Sequence, residues 1–481
     1  TGGALSIGVS LAFNTVDVDV AAFIDNSKVG TRTTADEIND PTTDAITISA
    51  DGSTEINALS VAASIAVGGS SSGTGVALSG GGAVAQNVVL NDTNAYAKGS
   101  ELASAGTVDL TADSTSTIEA TVVAASASVA LSGSGNAGAA SIGVAVARNF
   151  IGDGAADPNE VQAFIENSSV NAAGALTQTA TANQDIDVAV GAGSVAASGG
   201  NNALGLSGAG VQTSNRISEK IGAYIDGDGN GGIRASSVSL TANDTSKIDA
   251  DAGAASIAAA VSTSGNVGAA LSVAVALAEN DINNVVESYI KGADGDGTTN
   301  PTTGMGVRTS GAITVQAFED ADIDALAVAA SLAVGVSGGT AGIAVSGAGA
   351  AADNRIVTKT NAYVQDSRLE SGGLVDITAE NTSLIDATIV AASASVGVGN
   401  TVGAAVSIGA ALAQNTIGDT ENTANRSEVQ AYVQDSSINA GGALTQTATA
   451  NQTINAFVLA GSAAVAAGGT GGIAASGSGS S

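Results

Sequence analysis

Along most of this chain apolar and polar residues alternate one by one. Residues 374–379 read LVDITA and residues 46–50 read ITISA, with β-branched side chains recurring at alternate positions. A period of two sends successive side chains to opposite faces of a strand, so these segments are predicted to be strands. Glycine is too frequent inside them for helix. Clusters such as Gly338–Gly339 and Gly399–Asn400 mark turns. From Ile323 to Asn354 the pattern predicts two long strands of Ala, Val, Ser and Gly about a Gly-rich turn. Side chains that small predict a thin, dry and interdigitated interior.

The alternation is itself repeated. Four anchors recur in fixed order through seven copies. An Asn closes an apolar run at Asn14, Asn87, Asn149, Asn215, Asn280, Asn354 and Asn415. An aromatic follows at Phe23, Tyr96, Phe164, Tyr224, Tyr289, Tyr363 and Tyr432. An Ala ends a T-x-T-A-like run at Ala50, Ala112, Ala180, Ala242, Ala317, Ala379 and Ala448. An Ile stands six residues later each time, at Ile56, Ile118, Ile186, Ile248, Ile323, Ile385 and Ile454. The minimal unit is the interval from Ile56 to Ile118, about 62 residues. Extra length enters only between Asn and aromatic or between aromatic and Ala. Pro41, Pro158, Pro301 and Met305 all lie in those extra segments. Insertion at two fixed places is what surface loops on a stacked scaffold produce.

A longer order overlies this one. Residues 174–184 (GALTQTATANQ) return unchanged at 442–452, four units further on. Odd units carry runs such as AASIGVAVARN (139–149), and even units carry Gly-rich runs such as VALSGGGAVAQN (76–87). The chain therefore reads as all-β, a parallel β-solenoid of tandem units of about 62–74 residues. The units are 1–72, 73–136, 137–202, 203–266, 267–340, 341–401 and 402–471, with a partial copy at 472–481. The array begins and ends inside a unit, so the expectation is a segment of a longer protein. Stacking would turn the Asn series into an amide ladder and the aromatic series into a ring stack. All four anchor rows are expected to face the axis and hold the fold.

Composition narrows the function. Aromatic residues are 2% of the chain, Gly numbers 64, and there is no Cys, His or Trp. The net charge of −31 argues against nucleic acid or an anionic bilayer as partner. No apolar stretch reads as a transmembrane helix. Without His or Cys there is no catalytic triad, thiol nucleophile or zinc site. Carboxylates are plentiful but appear mostly at turns, and the few bases (Lys28, Lys98, Arg234, Lys291, Arg368) are scattered. No enzyme is expected and no catalytic residue is assigned.

Segments such as 362–385 (AYVQDSRLESGGLVDITAENTSLI) resemble the repeats of giant bacterial filamentous adhesins, including filamentous haemagglutinin and large leukotoxin-type exoproteins. The likeness spans all seven units. It implies a right-handed parallel β-helix, export by a two-partner or related route, and an extracellular or cell-surface location. Coils of such helices are short, about a third of this unit, which would put three coils in each unit. One large flattened coil per unit is the other arrangement, and periodicity does not choose between them.

Calcium is the candidate cofactor. Residues 224–233 read YIDGDGNGGI, with oxygens at Asp226, Asp228 and Asn230, and Asp294 and Asp296 form a shorter D-G-D in an inserted loop. Asp153, Asp157 and Glu160 lie in another. Hard cations take several such oxygens on a tight turn, but the twelfth position from Asp226 is Ser237, so no complete EF-hand loop is present. Two functions follow. One is a rigid extracellular shaft or fibre that associates with itself, end to end or laterally. The other is a calcium-dependent adhesin module that binds glycan or another cell surface through its acidic inserts, residues 37–44 and 298–307 among them.

Overall fold

The computed structural model describes residues 1–30, 44–154, 158–264, 267–294, 306–418 and 426–481. Every regular element in it is a strand. Seven strands of 25 residues form one parallel sheet: Ile46–Ser70, Val108–Ser132, Leu176–Gly200, Val238–Ser262, Ile313–Ser337, Val375–Gly399 and Leu444–Gly468. We call this the long sheet. After a short turn at the tip the chain runs back through a return sheet, as in Gly75–Leu90, Ala137–Ile151, Ala203–Ile217, Val267–Lys291 and Ala341–Gln365. Strands of two to four residues, such as Glu101–Ser104 and Arg368–Ser371, form a narrow corner sheet that closes the coil.

One unit is therefore one coil. Ile313 pairs with Val238 on one side and with Val375 on the other, so each long strand lies against the matching strand of the neighbouring units. The three-coil reading that comes with shorter coils is incorrect here. A strand of 25 residues is longer than a whole coil of that kind, and the unbroken alternation from Ile313 to Ser337 leaves no corner inside it. By the strand rise, each coil is about 80 Å long and is flattened to two packed layers.

Why the coil is thick at one end and thin at the other follows from side-chain volume. Near the corner the interior is filled by Leu102, Leu110, Val170, Leu176, Ile225, Ile233 and Leu369. Towards the tip it contains Ala66, Ala77, Ala130 and Ala196, then Ala258, Ala270 and Ala333. At the tip even a methyl is excluded: a Cβ on Gly335 would sit on the carbonyl oxygen of Ile343, and one on Gly342 on that of Val398. Gly335→Ala is expected to cost about 1–3 kcal/mol by forcing the layers apart. Outward-facing Gly208→Ala, with open space at its Cβ position, should leave the melting temperature unchanged or higher. A thermal melt of the two variants checks this, and equal losses would contradict it.

All four anchor rows stack in register. Ile56, Ile118, Ile186, Ile248, Ile323, Ile385 and Ile454 are direct partners in sequence, as are the seven alanines six residues before them. At the corner the backbone turns through a left-handed residue in the same place of each coil. Asn26, Asn167, Asp366 and Asp435 have φ of 46–47°, and Gly99, Gly227 and Gly292 take that place in the other coils. Asn, Asp and Gly are the residues that reach this conformation at low cost.

Candidate functional site

Two polar rows and one aromatic column run along the stack, a third polar structure is confined to neighbouring coils, and each arises from parity. Residues of one parity along a strand face inward, so any polar residue there must find a partner. The Asn row faces inward. Asn14 Nδ2 donates to Asn87 Oδ1 at 2.8 Å, Asn87 to Asn149 at 2.7 Å, and the chain continues through Asn215, Asn280 and Asn354 to Asn415, every step 2.8 Å. Asn87, Asn149 and Asn354 are fully buried. An amide carries both donor and acceptor, so one residue per coil satisfies its neighbours above and below.

A second inward row was not singled out in the sequence. Serine hydroxyls pair across the two layers: Ser64 with Ser79 and Ser126 with Ser141 at 2.6 Å, Ser256 with Ser272 at 2.9 Å, and Ser331 with Ser346 and Ser393 with Ser407 at 2.7 Å. The signal is in the spacing, since a Ser lies eight residues after each anchor Ile and eight before each anchor Asn. The thin interior is thus pinned by hydroxyls at its middle and is not wholly apolar.

The third polar structure interrupts the regularity. Glu219 and Asp244 face inward from the two layers and Glu319 from the next long strand, all at 1–3% exposure, although acids were expected mostly at turns. Asp244 accepts from Asn284 Nδ2 at 2.7 Å and from Ser246 Oγ at 3.0 Å. The carboxyl of Glu319 lies beside that of Asp244 and the amide of Asn284, and the carboxyl of Glu219 beside the amides of Gln184 and Asn159. Burial pushes Asp244 up to about 6. It pushes Glu219 and Glu319 well above the ordinary glutamate value, with the charge of Asp244 adding to both shifts. Carboxyls this close and this dry hold protons that a solvated acid would release.

The aromatic row, expected to face the axis, stands on the outer surface instead. Its residues have the opposite parity to the inward alanines beside them, as in Ala22–Phe23 and Ala95–Tyr96. All six neighbouring pairs are stacked, with centroids 4.7–5.1 Å apart and planes within 2–8°. That spacing is the inter-strand distance of a sheet. Tyr224 Oη donates to Gln162 Oε1 at 2.9 Å, and burial first, then nearby Glu160, Glu166 and Asp226, raises its phenol so that it stays protonated. Each ring face is covered by the next ring, so the column shows solvent mainly its edges. A platform that stacks on sugar needs open faces, and this arrangement uses them for packing.

Of the calcium candidates, Asp228 and Asn230 line one surface cavity at the corner, together with Gly227 and Gly292. Asp226 ends an outward-facing alternation, 4.0 Å from Lys291 Nζ. Asp228 turns inward at 3% exposure, and its Oδ2 accepts the Gly306 amide at 2.6 Å. It occupies the corner place where other coils have a serine, such as Ser100, Ser168 and Ser367. Asn230 lies on the exposed part of that corner loop, beside Gly229. Asp294 lies at the start of its insertion, while Asp157, Asp296 and nearly all of 37–44 and 298–307 fall outside the described residues. Among the described residues no group of three acidic, His or Cys side chains is placed to hold a metal ion, and no helix is long and apolar enough to cross a membrane.

Comparison of the chain with family models, curated proteins and solved structures finds no match.

Proposed function

We propose that this chain is a structural segment, a shaft or fibre wall in a large secreted or surface-displayed bacterial protein. The observation that carries the reading is continuity. The amide ladder and the ring column pass through every coil, and both report neighbour-to-neighbour packing of the kind that makes a solenoid stiffer and more stable as coils are added. The interior acids are sealed and not presented to a substrate, and the aromatic faces are consumed within their own stack. The resemblance of the repeats to those of filamentous adhesins points the same way, with an extracellular location as its corollary.

Electron microscopy of the purified native protein tests this. The expected particles are flat slabs or filaments about 80 Å wide, the length of one long strand, with a repeat of about 4.8 Å along the stacking axis. Compact globules without that repeat would overturn the reading.

A further inference from the structure

Two kinds of glycine occur in the thin half of the coil. Those facing inward are explained by the close approach of the layers, as at Gly335 and Gly342. Gly80, Gly82, Gly208, Gly210, Gly347 and Gly349 face outward on the return sheet, and a Cβ at any of them would meet nothing within 4 Å. Glycine weakens a strand, and in a strand it often marks the approach of another backbone. Nothing among the described residues approaches these six.

Their register supplies the reason. Along the stack one outward column reads Ile7, Gly80, Ile142, Gly208, Val273, Gly347, Ile408, Gly477. The adjacent column reads Val9, Gly82, Val144, Gly210, Val275, Gly349, Ala410, Gly479, with Ala410 the one small residue at a knob position. Bulky and empty positions alternate coil by coil, so the face carries knobs on odd coils and pits on even ones. The knobs are open to solvent, with Ile142 59% and Ile408 57% exposed. The odd–even alternation of the sequence is thus a relief pattern on one outer surface.

We infer that this face is an interface between two copies of the chain, the Ile/Val knobs of each seated in the glycine pits of the other. The inference rests on the structural reading above and names the partner of that structure. A surface with knobs and pits at equal spacing is complementary to itself after a shift of one coil, about 4.8 Å. The charge distribution sets the orientation. No charged residue lies between Glu119 and Arg148, Asp187 and Arg216, or Asp324 and Asp353, whereas the corner halves carry the acids. Antiparallel strands across the interface overlap the uncharged halves and direct the acidic halves to opposite sides. The uncharged band is about ten residues, roughly 33 Å, along the strand and eight strands wide at about 4.8 Å each, or roughly 1,250 Å² per copy. About 800 Å² per partner suffices for a stable complex.

The test fills the pits: Gly80→Ile, Gly82→Val, Gly208→Ile, Gly210→Val, Gly347→Ile, Gly349→Val, Gly477→Ile and Gly479→Val in one protein. The added Cβ atoms meet no atom of the chain, so circular dichroism and the melting temperature should be unchanged or raised. Sedimentation at about 10 μM should show the wild type as a dimer or larger and the filled variant as a monomer, a weakening of about 100-fold or more. A second variant keeps the filled pits and changes Ile7, Val9, Ile142, Val144, Val273, Val275, Ile408 and Ala410 to glycine, which shifts the pattern by one coil. Its association should return. A monomeric wild type, a filled variant that associates as tightly as wild type, or binding of both to phosphatidylcholine vesicles in place of self-association would each overturn the inference. Elongated monomers in every case would remove the interface and leave the structural reading standing; loss of the elongated shape in the filled monomer would count against that reading instead.

Discussion

Raising the pH from about 4 to about 8 is expected to destabilise this protein, the reverse of the usual acid denaturation. The cause is the buried set Glu219, Asp244 and Glu319. Burial raises all three, Asp244 to about 6, so the folded state keeps protons that the unfolded chain releases near pH 4. A carboxyl with a raised folded pKa contributes stability that is fully present below its unfolded value. That contribution is lost as pH rises through the folded value. For Asp244 the difference from an ordinary aspartate corresponds to about 3 kcal/mol. Asp185, Asp251, Asp322 and Asp324 on the outer face are raised by partial burial too, with neighbouring aspartates adding to it, so they act in the same direction. Glu319→Gln should therefore raise the melting temperature at pH 8 and leave it nearly unchanged at pH 4. Thermal melts of wild type and variant across this range check both statements. Stability that climbs with pH, or a Gln variant that is no better at pH 8, would contradict them.

The second large effect concerns the amide ladder. Asn215→Ala leaves the Nδ2 of Asn149 without its acceptor and the Oδ1 of Asn280 without its donor, both in a dry interior, and removes the bond to Thr213 Oγ1. An orphaned buried polar group costs about 1–3 kcal/mol, so the change should cost about 2–5 kcal/mol. Urea unfolding of Asn215→Ala beside Tyr224→Ala makes the comparison. The tyrosine variant loses two stacking contacts, about 0.5–1.5 kcal/mol each, and the hydrogen bond to Gln162, but its own site opens to water. If the tyrosine variant proves the more damaging, the outer column and not the inner ladder holds the coils together.

Much of this order could be read from residue spacing. The constant six residues between Ala50 and Ile56, repeated to Ile454, set the register of the long sheet. The two places of insertion, and the pair of long strands between Ile323 and Asn354, were equally plain. Coil size was harder, because periodicity within a unit does not count turns. The decisive local fact was the unbroken alternation of strands such as Ile313–Ser337. The direction of the aromatic row was legible in principle: Phe23 and Tyr96 each follow an inward Ala and so must point out. The same rule applied to Asp244, two residues beyond inward Ala242, would have placed a carboxylate inside. The serine pairs were hidden because Ser is common in every strand, and only the constant eight-residue offset distinguishes the inward ones. The placing of the candidate calcium residues follows from the same rule. Asp226 lies in an alternating strand and Asp228 beyond its end at the corner, and the corner turn sends them to different sides.

The central claim, one flat coil per repeat, is open to a direct distance measurement because the chain has no native Cys. Thr111 and Thr378 lie on one outer column of the long sheet, four register steps apart through Thr179, Thr241 and Gln316. Spin labels on Thr111→Cys and Thr378→Cys should be separated by four strand spacings, about 19 Å between backbones. Three coils per unit would place them about 58 Å apart. The shorter separation is the expected result, and the longer one would contradict a single coil per repeat.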